Sequence, residues 1–580
     1  MADRTLGWVQ DPGRIEKLRN VVELFDPTTA PHKELVRRRI PNLVKDLVVQ
    51  ARLLAALNAP PPLALTYSDL KGKHTRGKNS NAPCNGIVQA ALPGQNKPFL
   101  TDWASDNFVR WAHSLGFLSY HTATDTFSLT PLGQEYINLP TPISGVNAAL
   151  EEAMLASPPV VRVLRLLSQQ GHLTKFEMGK QFGFVGEAGF TTMNQSQIIH
   201  AIASASPTDK TKISSNREGS ADRYTRSIAA WLIHLGWVQQ AGKAVTVQVA
   251  GQTYTETIGQ AYLITHAGQL ALERSEGQSR HAATSKYVPF EMLASKEGER
   301  QYLRSRRATL LLALQSGGKA LPQLQRHMRT AGFDRSDEPT IKDDIDGLVN
   351  IGLRVPVNAT GTYHLRDTIH GLVIPAFSIP QTQGGDVENL KQSVRAKLSH
   401  VPHDALVLID LSFEGRKNYR VFESQVAALL QTCGYEGVQL GDANRPDGAF
   451  FTTGLSANYG LIVDAKSYSK GFNCGADDRD EMGRYVRENQ VRPANHVNKW
   501  WAVFPNTLSP NDDFRFLFVT SRLVQNYAAQ FIRLSTLHNN IPGGGISAAN
   551  LLLFAEEVLA KRLSLSDGRD KFAVLNEVTV

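Results

Sequence analysis

Apolar and polar positions in the first two-thirds of the chain follow a pattern that recurs at long range. Trp111, Leu115, Gly116 and Phe117 are matched by Trp231, Leu235, Gly236 and Trp237, with each Trp five residues before its Gly. A polar, turn-rich stretch follows each, and then a second match: Leu129, Thr130, Gly133 and Gln134 against Ile264, Thr265, Gly268 and Gln269. A third, weaker copy runs through Ile351, Gly352 and Leu353 to Thr362 and Leu365. A helix closed by glycine, a two-stranded hairpin and a threonine capping the next helix would produce this pattern. Helices followed by a small hairpin make a winged helix, a variant of the helix-turn-helix. Thr174 with Glu177 predicts a capping box upstream of the second wing. Residues 321–332 predict a short helix closed by Gly332 upstream of the third.

Further on, the pattern changes to alternating helix and strand. Residues 421–433 have helical apolar periodicity, 449–453, 460–468 and 514–520 read as strands, and 478–489 and 522–534 as helices. A polar stretch with two Pro and two Gly at 375–386 reads as a linker. The expected fold is therefore three tandem winged-helix or helix-turn-helix-like subdomains, mostly α with small β-hairpins, ahead of an α/β domain. Expected boundaries are 1–145, 146–280, 281–378, a linker at 379–386, and 387–580.

Composition narrows the class. The chain has 580 residues, 42% hydrophobic and 20% charged, enough for several packed cores. No apolar run approaches the roughly 18 residues of a membrane span, and the N-terminus lacks a signal-peptide hydrophobic stretch, so a cytoplasmic protein is expected. Cys84, Cys433 and Cys474 form no C-x-x-C pair, which excludes a disulfide framework and a cysteine zinc site. The net charge is +8, but 21 basic and 22 acidic residues lie from Asp386 onward, so the whole positive excess falls before it. Winged helices also serve as protein-binding modules; this charge favours DNA.

The chemistry gathers in the α/β region. Arg445-Pro446-Asp447-Gly448 is followed, sixteen residues later, by Asp464-Ala465-Lys466. Strand periodicity puts Asp464 and Lys466 on one face, and Asp447 just precedes a strand. Two carboxylates suit Mg²⁺, with the Ala465 carbonyl as a further oxygen donor. Lys466 would position water and offset charge on a scissile phosphate. A structural Asp–Lys ion pair is the plainer alternative. Other signals are weaker. Asp477 to Glu481 lacks the spacing of a calcium loop and reads as a helix start. Gly543 to Gly545 lacks the Lys-Ser/Thr of a P-loop and reads as a flexible loop. Trp500 and Trp501 read as core packing.

The motif P-D…(D/E)-x-K resembles that of the restriction-endonuclease-like nucleases. Leu6 to Gly13, Arg110 to Phe117, Gly171 to Phe176, Lys397 to His403, Arg445 to Gly448, Asp480 to Val486 and Asn498 to Trp501 together resemble the FokI-like type IIS restriction endonucleases, in order along nearly the whole chain. This resemblance implies three recognition subdomains, the third with a protein-contact role, and a Mg²⁺-dependent cleavage domain. That domain would cut both strands of double-stranded DNA at a fixed distance outside a short asymmetric site, GGATG or a close relative. It also implies catalysis by Asp447, Asp464 and Lys466, transient homodimerisation on DNA through Asp480 and Arg484, and a companion DNA methyltransferase in the host. Base-facing positions fall on Gln10, Asp11, Lys78, Asn79, Trp103, Ser105, Asn216, Arg217, Glu218, Arg223 and Arg226. The chain departs from the family pattern at four of them: Asp11 replaces Asn, Asn79 replaces Arg, Arg217 replaces Trp and Arg223 replaces Lys. A DNA-binding regulator with an inactive nuclease-like domain is the alternative.

Overall fold

The computed structural model describes the chain except residues 1–4, 11–13, 74–82, 141–144, 185, 204, 208, 211–212, 214–216, 250–251, 279–280, 296–298, 376–384, 416–417, 442–444, 457, 491–512, 523–542 and 568–580. The expected helix at 522–534, the Trp500-Trp501 pair and most of the linker lie outside the described residues. The chain divides into two compact units: 1–184 with 223–241 and 260–382, and 185–222 with 242–259 and 383–580.

In the first unit, the recurring sequence pattern has a physical cause. Helix Asp102–Ser114 ends at Gly116 in the left-handed region, φ +78°. Strands Leu118–His121 and Thr126–Leu129 then pair antiparallel, and Thr130 caps helix Pro131–Asn138 by accepting from Gly133 N. Thr130 Oγ1 also donates to Gly116 O at 2.6 Å. A Cβ on Gly133 would lie 2.2 Å from Phe117 O, so glycine alone lets the cap close on the preceding turn. The second copy repeats every contact. Gly236 has φ +71°, Thr265 Oγ1 donates to Gly236 O at 2.7 Å, and a Cβ on Gly268 would meet Trp237 O at 2.0 Å. The two repeated tryptophans stack on each other, Trp111 on Trp231, at 4.6 Å. The capping box of Thr174 and Glu177 is present. The third copy is reduced: Lys319–Ala320 pairs with Thr362–Tyr363, and Val357 makes a single bridge to Tyr363.

The second unit is built on a five-stranded sheet in the order Glu436–Gln439, Gly448–Phe451, Tyr459–Lys466, Asp513–Thr520, Gly543–Ser547. The first two pairings are antiparallel and the last two parallel. Helices Tyr419–Thr432 and Ala476–Gln490 pack against it. Val438, Phe451, Ile462, Met482, Val486, Phe516 and Phe518 form its core. The three glycines 543–545 are strand, not loop: each pairs in register with one of Phe516, Leu517 and Phe518, so sheet position overrides their local preference.

Two pieces of the chain from before the linker also belong to this unit. Helix Gln195–Ala203 sets Gln197 Oε1 to accept from Gln439 N, at 2.9 Å, on the edge strand. The hairpin Lys243–Val249 with Gln252–Ile258 rests Val247 and Tyr254 on the core. That hairpin is inserted between the wing strands Val238–Gln240 and Ala261–Ile264. Among the described residues, no helix is long and apolar enough to cross a membrane.

Candidate active site

Strand register places the motif. Gly448 pairs with Val463 across the antiparallel hairpin, so Asp447 and Asp464, one step further on, meet at the end of the ladder. Asp447 Oδ2 accepts from Ala465 N at 2.7 Å, and Leu440 N donates to Asp447 O at 2.8 Å. The first bond holds the carboxylate against the strand that carries Asp464, and the second ties the Asp447 backbone to the end of strand Glu436–Gln439. Asp464 is buried, and Lys466 Nζ lies 2.9 Å from its Oδ2. The three residues expected to act together are therefore brought to one point.

Burial pushes the Asp447 carboxyl well above the usual range, and the negative charges of Asp464 and Glu423 add to this. Glu423 was not anticipated from the sequence. It is buried on helix Tyr419–Thr432 and accepts from Gln439 Nε2 at 3.4 Å. Burial and the nearby Asp464 charge push it up to about 7, while Gln439, Arg217 and Arg420 pull the other way. Its one sequence signal was a carboxylate among the apolar positions of that helix. Lys466 has a second carboxylate, Asp478 Oδ1, at 3.3 Å. Burial disfavours the ammonium, but Asp464 and then Asp478 outweigh it and hold its pKa above the usual lysine value.

These donors fit a hard divalent cation. The acceptors are oxygens, and two carboxyls within hydrogen-bonding reach of each other, Asp464 buried and Asp447 half-buried, require a proton or a cation to coexist. Among the described residues no three His, Cys, Asp or Glu side chains form a ready ligand shell.

The dimer candidates lie on helix Ala476–Gln490. Asp480 is exposed, and the half-exposed Arg484 pairs with Glu488 at 3.3 Å and Glu481 at 3.9 Å. Arg484 also stands over the Tyr485 ring at 4.6 Å.

Residues expected to read bases fall into three groups. Trp103 is 48% exposed, and Gln10, Arg223 and Arg226 are half-buried. Gln10 N donates to Asn107 Oδ1, and Ser227 Oγ donates to Gln10 O, which fixes its backbone. Asp11, Lys78, Asn79 and Asn216 lie outside the described residues. Ser105, Arg217 and Glu218 are buried. Ser105 Oγ donates to Thr101 O, and the charge of Arg217 acts on Glu423.

Comparison with known proteins agrees along the chain. Families described as FokI recognition domain subdomain 1, recognition domain subdomain 2, D3 domain and cleavage domain match residues 4–139, 148–279, 293–360 and 384–579. The type II restriction enzyme FokI of Planomicrobium okeanokoites is 38% identical over 98% of both chains. The type II restriction enzyme StsI of Streptococcus sanguinis is 29% identical over 95% of this chain and 92% of its own. The solved structure of FokI bound to DNA superposes with a TM-score of 0.91 at 37% identity, covering all of both chains. With its three recognition subdomains followed by a cleavage domain, the chain belongs to the FokI-like type IIS restriction endonucleases.

Proposed function

We propose that the chain binds a short asymmetric duplex sequence, GGATG or a close relative, and hydrolyses both strands at a fixed distance outside it with Mg²⁺. The observation that carries this reading is the convergence of Asp447, Asp464 and Lys466 at the end of one hairpin. Asp447, Asp464 and the Ala465 carbonyl would hold the ion. When bound, Mg²⁺ polarises the scissile phosphate and lowers the pKa of a water. Lys466 orients that water and offsets the charge that develops on the phosphate oxygens. The buried position of the carboxylates keeps their charges poorly screened, which strengthens their hold on a cation.

Gln10, Trp103, Arg223 and Arg226 would read or position bases, together with Asp11, Lys78, Asn79 and Asn216. One site cuts one strand, so a second copy docks through Asp480 and Arg484 on DNA. A companion methyltransferase would protect the host in its cytoplasm.

Plasmid DNA incubated with Mg²⁺ and mapped at its ends tests the whole reading. Defined ends displaced from one recurring sequence support it, and Asp464→Ala must abolish them. Binding without cutting would favour the inactive regulator instead.

A further inference from the structure

Helix Ala476–Gln490 opens with the carboxylate run from Asp477 to Glu481. Its described members do different things. Glu481 accepts from Tyr485 OH at 2.6 Å and pairs with Arg484, and Asp477 and Asp480 are exposed. Asp478 reaches the site. Its Oδ2 accepts from Gly475 N at 3.1 Å, half of a capping box, while its Oδ1 lies 3.3 Å from Lys466 Nζ. One carboxylate thus has two duties, one on each oxygen.

The helix is well placed to hold it. Met482, Tyr485 and Val486 are buried in the core of the sheet, so the first turn sits on a fixed support. The geometry of an ammonium gives the second duty its meaning. Lys466 has three N–H donors. One points to Asp464 Oδ2 at 2.9 Å and a second to Asp478 Oδ1, which fixes rotation about the terminal C–N bond and sets the direction of the third. With Asp464 as its sole anchor, the ammonium would swivel about a single contact, and the third donor would have no fixed aim.

We propose that Asp478 is a positioning residue for the cleavage reaction: it holds the Lys466 ammonium so that its remaining N–H faces the scissile phosphate or attacking water. This rests on the reading of Lys466 as a catalytic group. The plainer role, capping the helix alone, makes a different prediction, because an amide oxygen caps as well as a carboxylate oxygen.

The test compares three variants of the full chain with the wild type: Asp478→Asn, Asp478→Glu and Lys466→Met. Each is measured for melting temperature, for affinity to the mapped site in Ca²⁺, and for cleavage rate with DNA saturating in Mg²⁺. Asp478→Asn keeps an acceptor for Gly475 N and removes the charge facing Lys466. It is expected to slow cleavage about ten-fold or more with melting and site affinity unchanged, since small misplacements of a catalytic group carry penalties of that order. Asp478→Glu restores the charge and should recover part of the rate.

Lys466→Met inactive and Asp478→Asn at wild-type rate would overturn the inference and leave the catalytic reading standing. Lys466→Met at wild-type rate would overturn both. A slow Asp478→Asn that also melts early, unrescued by Glu, would assign Asp478 to the helix cap alone.

Discussion

Two clusters of buried charge are built on opposite terms. In the third recognition subdomain, Arg306 and Arg307 both close on Asp344, with contacts of 2.7 to 2.9 Å, and all three are buried. Burial alone would raise the Asp344 pKa, but the two guanidiniums hold it below its usual value. Leu293 O accepts from Arg307, and the Phe184 ring lies 3.7 Å from its guanidinium carbon. Every charge there has an answer inside the protein. In the cleavage region, Glu423, Asp447 and Asp464 crowd together, and Lys466 answers one of them directly. The first cluster is finished by folding; the second is left needing a proton or a cation. On the proposed reading, the contrast separates charge buried for architecture from charge buried for chemistry.

The sharpest way to break the comparison is to remove one carboxylate from each cluster. Asp464→Ala should lower cleavage by a factor on the order of 10³ or more, measured at saturating DNA and Mg²⁺. Its melting temperature should hold or rise, because a like charge has left Asp447. Asp344→Ala should do the reverse. It strands two buried guanidiniums and should cost about 3–5 kcal/mol in denaturant unfolding. A stable Asp344→Ala would show that the two clusters do not differ as described.

A third buried carboxylate, Glu556, tests whether pairing or mere burial makes the difference. It accepts from the backbone N–H groups of Ser399, His400 and Val401 and from both neighbouring side chains. Although burial opposes its charge, these hydrogen bonds hold its pKa well below the ordinary 4.5. Its contribution is therefore full above that value and is lost as pH falls below it. Glu556→Gln should lose about 1–3 kcal/mol at neutral pH, and wild type and variant should converge in acid. The smallest effect concerns the surface of the same region. If a second copy docks through them as proposed, Asp480→Ala with Arg484→Ala should slow double-strand cleavage by about ten-fold while leaving site binding intact. Unchanged cleavage would remove these residues from the dimer contact.

The sequence was most readable where local rules and tertiary structure agree. Gly133 and Gly268 are legible as repeats because the same close approach to a carbonyl recurs at each wing. Asp447, Asp464 and Lys466 are legible because a hairpin fixes their spacing. Glu423 was not, since a carboxylate on a helix is ordinarily solvated, and only the packing of that helix reveals otherwise. Asp478 was seen as part of a helix start, which it is, but the partner of its second oxygen is a long-range fact. Gly543 to Gly545 misled for the same reason: three glycines favour a loop, and a parallel neighbour makes them a strand. The charge boundary at Asp386 follows covalent order, and nothing in it shows that 185–222 and 242–259 pack with the later residues.

The hairpin inserted into the second wing bears on transplantation. Covalently, the cleavage region looks detachable at the linker. Spatially, Val247 and Tyr254 rest on its core, and Gln197 accepts from the backbone of its edge strand. A fusion that takes only the residues after the linker leaves this cover behind, along with an apolar face and an unprotected strand edge that favour self-association. A graft of the residues after the linker would therefore uncover the face beneath Val247 and Tyr254 and the backbone of the edge strand, where polar replacements would offset the exposure.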